Sequence, residues 1–389
     1  MWRAPHLSLF LLSALWAGLV PLIWLWPDIA CDPVAWHRQE LVLGFAGAAM
    51  GGYLLTALPH WLKQASAKVG GPSRGGTVTL VAAWGIGRLA GGSCQPDAMA
   101  LAGLALYPLA LTFSLVAPIL RAGAWTRLPI ALAPLLLLLI AVRLRLAFDS
   151  LTAVLGMALL CAVVGGRIIP AFLAARAGSR STSRQMPWEA HLANGALTLA
   201  LVLHLTGVDQ SWVGVLLIIA AFGQAARPLR WDLAPATKGQ HDLLMLLCAW
   251  AWLPLGLGLV GVGLLNGPSL PLATAVHALT MGLMGSMIFA VMARSWMRRE
   301  PGRLGVDGST AMAFALLQSA VALRLAMGEF SEVPATLSWT VAWAIAAAHC
   351  VASLTQPVPH PILSAARGGH PDGGATTIPA APRVTDAHR

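Results

Sequence analysis

The sequence predicts an all-α fold: a polytopic integral membrane bundle of about twelve transmembrane helices with both termini cytoplasmic. Three observations predict it. Of 389 residues, 57% are hydrophobic and only 10% charged, against roughly 25% charged in soluble domains. Mean hydropathy is +0.72. Apolar runs bounded by Pro, Gly and charge recur at 7–27, 40–61, 77–93, 97–120, 125–146, 150–173, 190–206, 211–226, 241–264, 271–293, 309–328 and 333–355, most of them long enough to cross a hydrocarbon layer about 30 Å thick. Basic residues alternate from loop to loop. Loops after even-numbered runs hold fifteen: Lys63, Lys68, Arg74; Arg121, Arg127; Arg176, Arg180, Arg184; Arg227, Arg230, Lys238; and Arg294, Arg298, Arg299, Arg303. Loops after odd-numbered runs hold three, Arg38, Arg143 and Arg145. Lys and Arg collect on the cytoplasmic side, so this parity places both chain ends there.

The first run, Leu7 to Trp26, is too long for a signal-peptide core, and no small-x-small cleavage site precedes Pro27-Asp28. It reads as a membrane helix. Trp36-His37 opens the second run and His60-Trp61 closes it, with no charge between Leu41 and Leu58. The third, seventh and eighth runs are short, and Gly85, Gly87 and Arg88 weaken the third, so the true spans number ten to twelve. Gly165-Gly166-Arg167 lies near the cytoplasmic end of the sixth, and His241 begins the ninth. The tenth carries His277, Met281, Met284 and Ile288 on one stripe, and Arg324 and His349 fall in the last two. After Gln356 the chain turns to Pro, Gly and Ala. Residues 1–355 therefore form the transmembrane domain and 356–389 a disordered cytoplasmic tail.

The formal net charge is +10, yet the basic residues lie between apolar runs rather than in one stripe. That points to a lipid bilayer and not to nucleic acid. The five cysteines show no C-x-x-C spacing, so covalent haem attachment, a zinc ribbon and an iron–sulfur cluster lack support. Cys31 and Cys94 fall in loops on the same outer side, where a disulfide is open to them. No hydrolase, P-loop or dinucleotide motif occurs, so nucleotide-driven readings have no foothold.

Imidazole is costly in lipid and is there for a reason. On a regular helix His37, Glu40, Gly44, Gly47 and Gly51 share one face. That face is either a close-packed seam with an interfacial anchor, or a site where His37 ligates a metal or haem with Glu40 as its orienting partner or proton carrier. The second and tenth helices run in the same direction, so His37 and His277 lie toward one face of the membrane and could meet as ligands of a metal or of haem. His60 and His241 fall at the other face, roughly 35 Å of helix from His37, as a second level. Arg167 either snorkels to the interface or pairs with an anionic group such as a haem propionate.

These segments resemble the NnrS family of bacterial membrane proteins. The resemblance rests on Trp36-His37 through Gly44-Phe45, Leu54-Leu55-Thr56-Ala57 with Pro59 and Trp61, Gly165-Gly166-Arg167-Ile168-Ile169-Pro170-Ala171-Phe172, Ala251-Trp252-Leu253-Pro254-Leu255-Gly256, and His277-Ala278-Leu279-Thr280 through Val291-Met292-Ala293-Arg294. It implies a twelve-helix haem- and copper-containing protein of the bacterial inner membrane, acting in nitric oxide metabolism or nitrosative-stress protection, with a respiratory-chain protein as a possible partner. Two places depart from the family. Gln39 stands where a second histidine is expected, and Met297-Arg298-Arg299-Glu300-Pro301-Gly302-Arg303 replaces a Gly-His-Thr-Gly-Arg stretch, which bears more on copper than on haem. The competing readings are a membrane transporter and an accessory or assembly protein for respiratory enzymes.

Overall fold

The computed structural model describes residues 4–64, 73–92, 98–177, 187–234, 238–266, 271–300, 302–328, 332–358 and 362–363. Each of the twelve apolar runs forms a helix: α1 Pro5–Leu25, α2 Pro33–Lys63, α3 Arg74–Gly91, α4 Ala98–Arg121, α5 Trp125–Leu146, α6 Ser150–Ala177, α7 Pro187–Leu205, α8 Gln210–Arg230, α9 His241–Asn266, α10 Leu272–Ala293, α11 Gly308–Met327 and α12 Glu332–Ser353. Among the described residues ten are long and apolar enough to cross a membrane, all but α3 and α7. In lipid the backbone has to satisfy its own hydrogen bonds, which is why apolar runs of this length become helices. The only strands described are β1 Arg298–Glu300 and β2 Arg303–Gly305, an antiparallel pair pairing Arg299 with Leu304.

Successive helices pack side by side around the bundle, and α12 returns to α1. There the Trp339 indole donates to the Ala17 carbonyl at 2.8 Å and the Thr340 hydroxyl to Gly18 at 3.0 Å. The two helices thus meet near their midpoints. α2 and α10 are the most enclosed spans. An aromatic cluster of Phe45, Phe289, Trp339 and Trp343 packs between them and α12, with Phe45 and Trp343 centroids 4.8 Å apart.

Three elements depart from regular helix partway along. In α5 the chain turns at 132–134 and resumes at Leu135, because Pro134 lacks an N–H and crowds the residue before it. α2 and α10 each contain a π segment, Glu40–Ala46 and Ala278–Gly285. The wider π turn changes the facing expected from a regular helix. Glu40 and Gly44 meet Trp16 and Arg88, Gly51 lies under the Tyr107 hydroxyl, and His37 stands against Trp24, centroids 5.0 Å apart.

The glycine pair of α6 has a definite role. The buried Arg227 guanidinium donates to the carbonyls of Ala162 (3.2 Å) and Gly166 (3.1 Å) and to Gln224 Oε1 (2.9 Å), over the Trp250 ring. A Cβ on Gly166 would lie 1.9 Å from an Arg227 nitrogen. Cys31 is disulfide-bonded, while Cys94, its expected partner, and nearly all of the 356–389 tail lie outside the described residues.

Candidate functional site

The site begins at the N-terminal ends of α2 and α10. Asp32 caps α2 by accepting from the Ala35 N–H at 2.9 Å, which starts the helix one turn before His37. His37 is half-buried, and its Nδ1 is shut from solvent with no hydrogen-bond partner among the described residues. His277 is likewise half-buried. Its Nδ1 lies 2.6 Å from the Ala273 carbonyl, a contact that requires the proton on Nδ1 and leaves the Nε2 lone pair for another partner. His37 is within electrostatic reach of His277, and both are within reach of Arg38 and Arg324. Each of the two histidines that helix parity puts at one face stands just before a π segment.

Glu40 lies next in the chain and is engaged elsewhere. Its Oε2 accepts from the Trp16 indole and from Arg88 Nη1, each at 2.7 Å, and its Oε1 accepts from Gln39 Nε2 at 3.0 Å. Gln39 Nε2 also reaches the Gly91 carbonyl at 3.1 Å. Glu40 is fully buried, and Arg88 nearly so. As an orienting partner of His37 it has no free oxygen. The structure makes it the anchor that ties α2 to α1 and α3. Gln39 completes that anchor with an amide that satisfies two acceptors. Arg88, which reads in the sequence as a defect of the third helix, is the counter-ion. An acidic and a basic residue in separate apolar runs were the only signal for this pairing.

The other sequence candidates lie apart from this cluster. His60 is exposed near the end of α2 and His241 at the start of α9. Arg167 is exposed and takes no part in the histidine cluster. The Met stripe of α10 serves packing: Met284, Met287 and Ile288 help line an apolar cavity of about 90 Å³ with Met50, Tyr53 and Met157. At the histidine end of the bundle Asp149 accepts from Arg143 (3.0 and 2.8 Å), and its Oδ1 lies 3.0 Å from His204 Nε2. Burial pushes the Asp149 carboxyl up, but the bonds from His204, Thr152 and Arg143 outweigh it and hold it below the usual carboxylate range. No sequence pattern announced that latch.

Imidazoles of this kind, one with its Nδ1 proton committed and the other with an orphaned ring nitrogen, are the donor type that would hold a haem iron. Among the described residues no group of three or more His, Cys, Asp or Glu could hold a metal ion.

Taken together, the chain is a multi-pass helical membrane protein with paired imidazoles at one end of its two most enclosed helices. It belongs to the NnrS family, whose model, described as NnrS protein, matches residues 1–357. No curated protein matches the chain.

Proposed function

We propose that this protein is a haem-binding member of its family in the bacterial inner membrane, with His37 and His277 as iron ligands, acting on nitric oxide or a small molecule derived from it. One observation carries the reading: the His277 imidazole, its Nδ1 proton committed to Ala273, in reach of the buried, unpartnered Nδ1 ring of His37. Bound haem would supply an iron centre able to bind nitric oxide or pass electrons. The chain's own part is to hold two neutral imidazoles in an apolar bundle. Family membership supports the nitric oxide link, and the density of basic residues at the other end supports the orientation with that end cytoplasmic. Donation of electrons by a respiratory-chain protein fits a membrane haem.

The test is the optical spectrum of the full chain purified after expression with ample haem. A Soret band is expected, lost or shifted in His37→Ala and in His277→Ala and retained in His60→Ala and His241→Ala. No Soret band in the parent protein would end the haem reading. An unaltered band in both of the first two variants would end the ligand assignment alone.

A further inference from the structure

The apolar cavity of about 90 Å³ lies deeper in the bundle than the histidine site. α1 and α2 line it from one side with Phe10, Met50 and Tyr53, and α6 and α10 from the other with Met157, Met284 and Met287. Both π segments end on its wall. Ala46 closes the one in α2, Met284 lies one residue before the end of the one in α10, and both residues line the cavity. π turns inside α-helices recur at functional sites. At 1.5 Å per residue Met284 lies about 10 Å along its helix from His277, and Ala46 about 13 Å from His37.

The walls decide what this space can hold. Tyr53 carries the only hydroxyl among the described residues that line it, and a buried water needs two to four polar partners, so the cavity is dry. Met50 from α2, Met157 and Cys161 from α6, and Met284, Met287 and Met292 from α10 put sulfur on three of its sides. Sulfur is polarizable and holds a small apolar body by dispersion. Dry apolar cavities on the order of 150 Å³ take up benzene or xenon, and this one suits a smaller guest. Its open side follows α6. Leu160, Val164 and Ile168 are half-buried where they line it, whereas Met284, Met287 and Met292 of α10 are buried. The three α6 residues fall in the middle of a membrane span, so the opening faces hydrocarbon and neither aqueous side.

We infer that this cavity is a binding site for an uncharged apolar gas of two or three atoms, admitted from the bilayer past α6. Such a gas favours hydrocarbon over water, so the membrane concentrates it at the opening. An unfilled void costs a packed bundle stability, and here the small side chains of Ala46 and Ala49 leave the space open. Nitric oxide belongs to this chemical class. Naming it as the natural occupant rests on the proposed function, whereas the gas site itself does not. On that reading the cavity stores ligand a short diffusive step from His37 and His277.

The experiment uses crystals of the full chain grown from lipid and pressurised with xenon, a probe of the same apolar character. One anomalous peak is expected inside the cavity. Ala49→Leu, whose longer side chain fills the space, should lower xenon occupancy about fivefold or more. Thermal unfolding in detergent shows whether that variant is folded, with Val164→Phe, which fills the space from α6, as the second if it is not. No xenon in the cavity, an acyl chain or detergent tail already filling it, or unchanged occupancy in the folded variant overturns the inference. The measurement needs no haem, so its failure leaves the iron-ligand assignment standing, and a missing Soret band leaves a xenon site standing.

Discussion

A guanidinium inside an apolar helix has to be answered by something, and Glu40 answers Arg88 at 2.7 Å with both side chains out of solvent. Removing either partner leaves a buried uncompensated charge or an empty acceptor set. Arg88→Leu alone should therefore cost about 3–5 kcal/mol, read as a lowered thermal unfolding midpoint in detergent. Arg88→Leu with Glu40→Leu should cost less than Arg88→Leu, and an equal or larger loss would show that the pair is not the source. The residues of this anchor were visible in the sequence as charges in apolar runs. Their partnership was not, because 48 positions separate them and nothing local selects one acid for one base. Gly166 makes the same point. Arg227 occupies the space that a Cβ at this position would take, so Gly166→Ala should cost about 1–3 kcal/mol as overpacking, whereas Gly195→Ala, with nothing within 4 Å, should be neutral or stabilising by up to about 1 kcal/mol.

Elements were more legible than contacts. Apolar length and flanking charge locate all twelve helices, because the bilayer imposes a length that any span has to meet. Helix parity likewise puts His37 and His277 toward one face, and both stand at the N-terminal ends of their spans. The π segments were hidden, since a pattern read at 3.6 residues per turn carries through them without a break. The turn in α5 had its sign in Pro134. Deleting one residue within Glu40–Ala46 should turn the π segment into regular helix and rotate His37 by about 100°. Far-ultraviolet circular dichroism should stay helical while the Soret band is lost or shifted. An unchanged band would show that the π geometry does not place the ligand.

For the whole molecule, acid should loosen the histidine end first. The Asp149 carboxyl is held below its ordinary value by its hydrogen bonds, so the ionised form is favoured more in the folded than in the unfolded chain. Its contribution is then fully present above the unfolded carboxyl pKa, about 4, and drains away as pH falls below it. Melting temperatures followed from pH 7 to pH 3 should show a shallower acid decline in Asp149→Asn than in the parent. Parallel declines would remove Asp149 as the cause.

The seam between the first and last helices governs how the chain comes into being. Trp339 bonds Ala17 across 322 positions, and ribosomes add about 5–20 residues per second. The first helix therefore waits in the bilayer for tens of seconds before its partner is made, with the face that Trp339 will cover open to lipid. Biogenesis of this protein ends with its last transmembrane segment, and any chain cut short before that segment presents membrane quality control with an unclosed bundle.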